Sequence, residues 1–310
     1  MTNNSDSTKI ATIVVTHNRK ELLLNCIEAL LSQTHPCDIV IVDSGSADGT
    51  EVSLRKKGYM DRHNIHYLRL NENMGGAGGF HHGLKYAMSQ SWKWFWLMDD
   101  DAEPERSALK NLALHAEDSN TVYGSVAMGM KDGTKTLCWT KKVIDSGRLV
   151  SINDYQRLQE VQEVQNIAFL GFLIHRDMVQ EVGLPDPTFF ICRDDYDYCE
   201  RARKSGARFI LVKSSVISHP VKGISRFRFL GMEIWYRNMP TWKTYYDVRN
   251  RIFSIKAHYP HLLWRRTIPG LILQFFCSLF AEKDKIRLMY TYAAGILDGL
   301  CGKRAKRFLP

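Results

Sequence analysis

The sequence predicts an α/β protein: a Rossmann-like, mostly parallel sheet flanked by helices, followed by a basic and mostly helical C-terminal region. Three observations carry this. Short β-branched runs alternate with helix-spaced segments through the first third of the chain, the pattern of a parallel sheet. One run, Trp94-Phe95-Trp96-Leu97-Met98, is apolar at every position, as in a strand covered on both faces, and it leads straight into Asp99-Asp100-Asp101. The charge is unevenly spread: residues 1–200 carry 20 Lys and Arg against 28 Asp and Glu, whereas residues 201–310 carry 22 against 5.

Composition sets the outer bounds. The chain has 310 residues, 45% apolar and 24% charged, enough for one large α/β domain with an appendage and too apolar for wholesale disorder. Its seven cysteines are scattered, odd in number and without a CxxC pair, which argues for a reducing compartment and against a zinc site or disulfide framework. Residues 1–9 are polar with no apolar core segment, so no signal peptide is expected.

In chain order, Ile10–Thr16 reads as a buried β-branched strand, followed by His17-Asn18-Arg19 and a helix with Leu22, Leu23, Cys26, Ile27, Leu30 and Leu31 on one side. Asp38–Asp43 is a second strand ending in a carboxylate and the turn Ser44-Gly45-Ser46. A helix is expected to open at Asp48-Gly49-Thr50-Glu51, and His66–Leu70 is a third strand. It is followed by the loop Asn73-Met74-Gly75-Gly76-Ala77-Gly78-Gly79, a helix through Leu84–Met88, and the Trp94 strand. Right-handed crossovers put the ends of these parallel strands on one rim. Ligands collect on such a rim.

The rim residues each have two readings. Three adjacent carboxylates suit a divalent cation with hard oxygen ligands. They also suit a solvated loop before the helix expected near Pro104, favoured by its dipole. Asp43 is either a turn former or a hydrogen-bond acceptor for a nucleobase or ribose. The glycines either let helix and sheet pack closely or bring backbone N–H groups up to phosphates. Together they describe a nucleotide-diphosphate pocket with a metal. Its nucleotide-binding candidates are Thr16, Arg19, Asp43, Asn73, Gly75, Gly76, Gly78, Gly79, Asp99 and Asp100.

Beyond the rim, Val122–Met128 reads as a strand, while residues 130–166 are polar and mixed and give no clear pattern. Ile167–Ile174 is an apolar strand candidate. Phe189-Phe190-Ile191-Cys192 reads as a strand meeting a second acid cluster, Asp194-Asp195-Tyr196-Asp197. A helix over Tyr198–Ser205 closed by Gly206, a strand Arg208–Val212, and Val216-Ile217-Ser218-His219 follow. Two acid clusters suggest a division of labour: Asp99 and Asp101 for metal and diphosphate, Asp194 or Asp195 for an acceptor hydroxyl. His219 is either a structural histidine or a further metal ligand.

These motifs resemble the family 2 glycosyltransferases of GT-A fold, and most closely the bacterial galactofuranosyltransferases. The resemblance covers roughly residues 10–255. It rests on Thr16-His17-Asn18-Arg19, Asp43, Asn73-Met74-Gly75-Gly76-Ala77-Gly78-Gly79-Phe80, Asp99-Asp100-Asp101, Arg193-Asp194-Asp195-Tyr196-Asp197-Tyr198 and His219. It implies that Asp99, Asp101 and His219 coordinate Mn²⁺ or Mg²⁺ at the phosphates of a UDP-sugar, and that Arg19 and Asp43 contact the uridine. It further implies that Asp195 is the general base of an inverting transfer and that Asp194 binds acceptor or donor-sugar hydroxyls. The chain departs from that pattern at Arg193, where those enzymes carry an aromatic, and at His81-His82 after the glycines. Rhamnosyltransferases using dTDP-rhamnose share the layout, including a segment like Tyr245-Tyr246-Asp247-Val248-Arg249-Asn250.

Residues 1–230 are therefore expected to form the catalytic domain, with a nucleotide-sugar half at about 10–130 and an acceptor half at about 131–230. Residues 231–310 are expected to form a helical, basic, membrane-associating region. From Glu233 the chain is aromatic, basic and read as helical, a composition compatible with nucleic acid or with a membrane interface. Ile268–Ala281 is apolar but shorter than the roughly 20 residues of a spanning helix. It is flanked by Arg265-Arg266 and by Lys283, Lys285 and Arg287, as in a helix lying on an anionic leaflet. A buried helical appendage with a solvated basic face is the plainer reading. The expected partners are a nucleotide-sugar donor, a glycan acceptor linked to lipid, and an anionic membrane surface, at the inner face of a bacterial cytoplasmic membrane. A nucleic-acid-binding module is disfavoured because it leaves both acid clusters without a role.

Overall fold

The computed structural model describes residues 9–131, 133–221, 224–229, 232–237, 239–281 and 284–309. The chain divides into two units. One runs to Pro187 and takes up Tyr198–Val221; the other consists of Thr188–Asp197 and the chain after Val221.

The first unit opens with β1 (Ile10–Thr16), α1 (Lys20–Leu31), β2 (Asp38–Asp43), α2 (Thr50–Lys56), β3 (Ile65–Arg69), α3 (Gly75–Met88) and β4 (Trp94–Asp99). It continues through β5 (Glu103–Pro104), α4 (Ala108–Ala113), β6 (Thr121–Lys131), β7 (Thr134–Leu137), β8 (Lys141–Asp145), β9 (Arg148–Ile152), β10 (Val161–Glu163), β11 (Phe172–His175) and α5 (Arg176–Val182). Helix α6 (Asp194–Lys204) spans the division, and β12 (Arg208–Ser218) completes the first unit.

The main sheet runs β10-β12-β6-β11-β4-β1-β2-β3, with β5 on β12 and β7 on β6. Strands β3, β2, β1 and β4 are parallel neighbours, whereas β11 lies antiparallel between β4 and β6. Alternation along β1 explains why both faces are apolar. Ile13 and Val15 point to one core, with Phe80, Leu84 and Ala87 of α3 and with Tyr198 and Ala202 of α6. Ile10 and Val14 point to the other, with Leu23, Cys26, Ile27 and Leu30 of α1 and with Leu109 and Leu112 of α4.

Several expectations are corrected here. The glycines after Asn73 form the first turns of α3 rather than a loop, because they let that helix lie against β1. A Cβ at Gly79 would stand 2.2 Å from Val15 Cγ1, and one at Gly83 2.5 Å from Ile13 Cγ2. Close packing thus offsets the helical cost of glycine. Gly76, in the same turn, would meet nothing within 4 Å. Gly79→Ala is therefore expected to lower stability by about 1–3 kcal/mol through overpacking, while Gly76→Ala should be neutral or gain a few tenths. Equal melting temperatures for the two variants would contradict this packing role.

The second correction concerns Ile167–Ile174, of which only Phe172–His175 is strand. Gly171 sits at φ +81°, and a Cβ there would strike Ser125 at 2.6 Å, so the chain turns before it pairs. Third, Phe189–Cys192 is not a strand. Pro187–Phe189 is a single 3-10 turn, and helix α6 begins at Asp194 instead of Tyr198, with Asp194, Asp195 and Asp197 in its first turn. The helix dipole favours acids there.

The second unit contains β13 (Ile224–Phe229), β14 (Met232–Arg237), α7 (Thr241–His258), α8 (Ile268–Ala281) and α9 (Lys285–Cys301). The expected helix from Glu233 is thus a strand up to Arg237, paired antiparallel with β13, and helix begins at Thr241. Val248 and Ile252 of α7 pack with Leu271 of α8 and with Leu288 and Tyr292 of α9.

Candidate active site

Strand register brings the rim together. Thr16 pairs with Asp43 across β1–β2, and Val15 pairs with Asp99 across β1–β4. The loops beyond the strands are tied to one another by side chains. His17 Nδ1 lies 2.8 Å from the Ser44 carbonyl, and Asn18, at φ +52°, donates its N–H to Ser46 Oγ at 2.9 Å. Ser44 Oγ accepts the Met74 N–H, and Asn73 Oδ1 accepts the Gly75 N–H at the start of α3, both at 2.8 Å.

The acids after β4 have distinct environments. Asp100 is buried, accepting a hydrogen bond from Thr16 Oγ1 at 2.7 Å and from Arg19 Nη1 at 2.6 Å. Burial drives its carboxyl above the usual range, and Arg19 and Thr16 pull against that without cancelling it. Arg19 also donates to Asp101 Oδ2 at 3.0 Å. Burial pulls the Arg19 guanidinium down, but the charges of Asp100 and Asp101 outweigh it and hold the group above its ordinary value. Thr16, Arg19 and Asp100, expected to touch the nucleotide, are bonded to one another, and Arg19 also to Asp101.

Asp43 is fully buried and already bonded three times. Its Oδ1 accepts the Ser46 N–H at 2.8 Å, and its Oδ2 accepts Tyr67 Oη at 2.6 Å and Arg69 Nη1 at 3.1 Å. Burial first, and then the bond to Asp43, raises the Tyr67 phenol. Arg69 also reaches the Ser46 carbonyl at 2.8 Å, so β3 carries a cation to the rim that the sequence reading overlooked.

His219 follows the end of β12, where its N–H is held by the Met128 carbonyl at 2.8 Å. Its Nε2 lies 3.2 Å from Asp101 Oδ1, and both side chains are buried. A carboxylate oxygen beside an imidazole nitrogen is a donor pair that Mn²⁺ accepts. Among the described residues, however, no three His, Cys, Asp or Glu side chains converge as a preformed metal cage. Of the expected set of Asp99, Asp101 and His219, the last two face each other, and the Arg19 cation lies against Asp101 as well.

The second acid cluster belongs to the other unit and is built differently. Phe190, Cys192 and Arg193 all have left-handed backbones, at φ +63°, +67° and +66°. Such conformations cost non-glycine residues and persist only where neighbours impose them. Here α7 imposes them. Asn250 Nδ2 lies 2.9 Å from the carbonyls of Phe189, Ile191 and Cys192. Arg249, wholly buried, donates to the carbonyls of Thr188 at 2.8 Å, Phe189 at 3.2 Å and Ala305 at 2.8 Å. Arg193, where the resemblance leads one to expect an aromatic, has Asp247 Oδ1 3.3 Å from its Nε, and Asp197 Oδ1 lies 2.8 Å from His258 Nε2. The segment Asp247–Asn250 therefore fixes the backbone immediately before Asp194 and Asp195. The signal was present as buried-type polar residues inside an aromatic helix, but its target lies some 60 residues away in the chain.

The glycosyl transferase family 2 pattern matches residues 12–183, more than half of the chain. The chain belongs to that family. It is similar to the galactofuranosyltransferase GlfT1 of Mycolicibacterium smegmatis, 27% identical over 275 residues, covering 86% of this chain and 88% of that one. It is likewise similar to GlfT1 of Mycobacterium tuberculosis, 27% identical over 245 residues, covering 77% and 79%. The dTDP-rhamnosyl transferase RfbF of Shigella flexneri is 23% identical over 299 residues, covering 96% and 97%. Among solved structures, that of GalNAc-T7 with UDP, GalNAc and Mn²⁺ superimposes with a TM-score of 0.60 at 13% identity, over 82% of this chain. The chain spans about half of that protein (48%), and the likeness bears on the fold, which is GT-A.

Proposed function

We propose that this family 2 glycosyltransferase is a metal-dependent, inverting enzyme that moves galactofuranose from UDP-galactofuranose to a hydroxyl of a lipid-linked cell-surface glycan. The observation that carries the reading is the braced carboxylate rim beyond β4, with Asp101 facing His219 at the ends of strands in a GT-A sheet. The named relatives support galactofuranose as the sugar.

In this reading the rim binds the nucleotide diphosphate. Gly75 and Gly76 start α3 beside the Ser44–Ser46 turn, where backbone N–H groups suit phosphate oxygens. Asp43, Tyr67 and Arg69 shape the nucleoside end of the pocket. Asp101 and His219, with Asp99 as the third ligand the resemblance implies, would hold Mn²⁺ or Mg²⁺, and the ion would supply positive charge to the departing diphosphate. Asp195 takes the proton of the acceptor hydroxyl as that oxygen bonds to the anomeric carbon. The bond from that carbon to the diphosphate breaks, and its electron pair leaves with UDP. Asp194 orients a hydroxyl of acceptor or donor sugar.

The second reading keeps fold and chemistry but takes dTDP-rhamnose, favoured by the near-complete coverage of the rhamnosyl transferase relative. Calorimetric titration with UDP and dTDP separates the two. Tighter binding of UDP is expected, and a preference for dTDP would move the enzyme to the second reading.

Peripheral attachment to the inner face of the cytoplasmic membrane belongs to the same proposal. Among the described residues no helix is long and apolar enough to cross a membrane. Yet Trp264, Leu273, Phe276, Ile286 and Leu297 are exposed on or beside α8 and α9, interspersed with exposed Arg265, Arg266, Lys285 and Arg287. Apolar anchors among cations suit an anionic lipid surface. The intact protein is expected to float with vesicles containing phosphatidylglycerol, and the double variant Trp264→Ser, Ile286→Ser to float less. Equal flotation of the two would remove the anchor.

A further inference from the structure

Lys141, the first residue of β8, is 7% exposed. Among the described residues no carboxylate lies within 4 Å of its ammonium and no acceptor takes a hydrogen bond from it. Among the described residues its ammonium lies over the ring of Trp139, whose centroid is 4.8 Å from Nζ. A buried cation without a counter-charge opposes folding, and such groups are normally paired or hydrogen-bonded. Burial lowers the Lys141 amine to about 8, which leaves it largely charged at neutral pH.

The ring under this cation packs against the rim. Trp139 meets the His219 ring nearly at right angles, with centroids 6.0 Å apart, and His219 in turn faces Asp101 at 3.2 Å. The segment is fixed there rather than draped: the Cys138 N–H donates to the Ala127 carbonyl at 3.1 Å, and Cys138 Sγ donates to the His219 carbonyl at 3.5 Å. A Cβ at Gly129 would stand 2.6 Å from that same carbonyl and 3.3 Å from Cys138 Sγ, so the three strand ends are closely packed.

We infer that Lys141, seated on Trp139, whose ring packs edge-on against His219, is the cation of an anion-binding site that receives a phosphate group of a ligand. Lysine acts toward phosphate as a point charge and needs no bidentate geometry. The phosphate has two sources in a transferase of this kind: the donor diphosphate, or a phosphate on the lipid carrying the acceptor. Only that choice of source rests on the function proposed above.

The test uses the full chain and Lys141→Met, which keeps the apolar stem and removes the charge. Both are titrated calorimetrically with UDP, with uridine and with decyl phosphate, and both are melted. The variant is expected to melt no lower than wild type, to keep its uridine affinity, and to lose at least tenfold in affinity for one phosphate probe. Loss for UDP assigns the site to the donor, and loss for decyl phosphate assigns it to the acceptor lipid. Unchanged affinity for both probes overturns the inference. So does a variant that melts lower or fails to fold, because the ammonium would then be satisfied within the protein. A wild type that binds decyl phosphate but not UDP would count against the nucleotide-sugar reading while leaving Lys141 to be decided by the decyl phosphate arm. A wild type that binds neither overturns the inference.

Discussion

Replacing Asp195 with Asn is expected to cut sugar transfer by roughly 10²–10⁴-fold, the range a positioned general base contributes. UDP affinity should stay close to wild type, because the rim proposed to bind the nucleotide belongs to the first unit. Asparagine keeps the size of the side chain and an oxygen to accept the Tyr196 N–H, which Asp195 Oδ1 now accepts at 2.7 Å. What it removes is the capacity to take a proton. Steady-state transfer and UDP titration on the same preparation check both halves. Near-wild-type turnover would transfer the role of base to another group, with Asp194 the first to examine.

A second large effect is expected at Asn250, which lies outside both acid clusters. Asn250→Leu leaves the carbonyls of Phe189, Ile191 and Cys192 without their shared donor, and deprives Arg249 Nε of its acceptor at 2.9 Å. Each buried polar group stranded in this way costs about 1–3 kcal/mol, so a loss of about 3–5 kcal/mol is expected in the second unit. Phe190, Cys192 and Arg193 would also be released from their left-handed backbones, and Asp194 and Asp195 would lose their fixed approach. The signature is a fall in transfer and in the denaturant midpoint, with UDP affinity kept. A variant as stable and as active as wild type would show that α7 does not position the acid junction.

Much of the sheet was legible because its strands are covered on both faces. Ile10–Thr16, Asp38–Asp43 and Trp94–Asp99 are apolar enough that their limits fall where hydrophobicity stops and the rim begins. Helix α8 likewise ends with its apolar run. Elsewhere local pattern yielded to distant partners. Gly75–Gly79 reads as a loop because nothing nearby in sequence reveals that Val15 needs the space of a missing side chain. Phe189–Cys192 reads as a strand because Asn250, which captures its carbonyls, lies some 60 residues downstream. Met232–Arg237 pairs with β13 as a strand despite its helix-compatible composition.

The site divides in the same manner. The types of residue at the strand ends were legible: acids after β4, an acid after β2, a histidine after β12. Their partners were not. Nothing in Thr16 or Arg19 taken alone says that both are bonded to Asp100, or that Arg19 shares Asp101 with His219. Lys141 is the extreme case, an ordinary lysine in a polar stretch of sequence whose burial appears only once β8 is placed.

The most direct test of the account is sugar release and transfer from UDP-galactofuranose and dTDP-rhamnose, each measured with Mn²⁺ and with EDTA. Turnover of UDP-galactofuranose that is faster than that of dTDP-rhamnose and is lost in EDTA is the predicted result. Turnover of neither donor, with or without Mn²⁺, would contradict it.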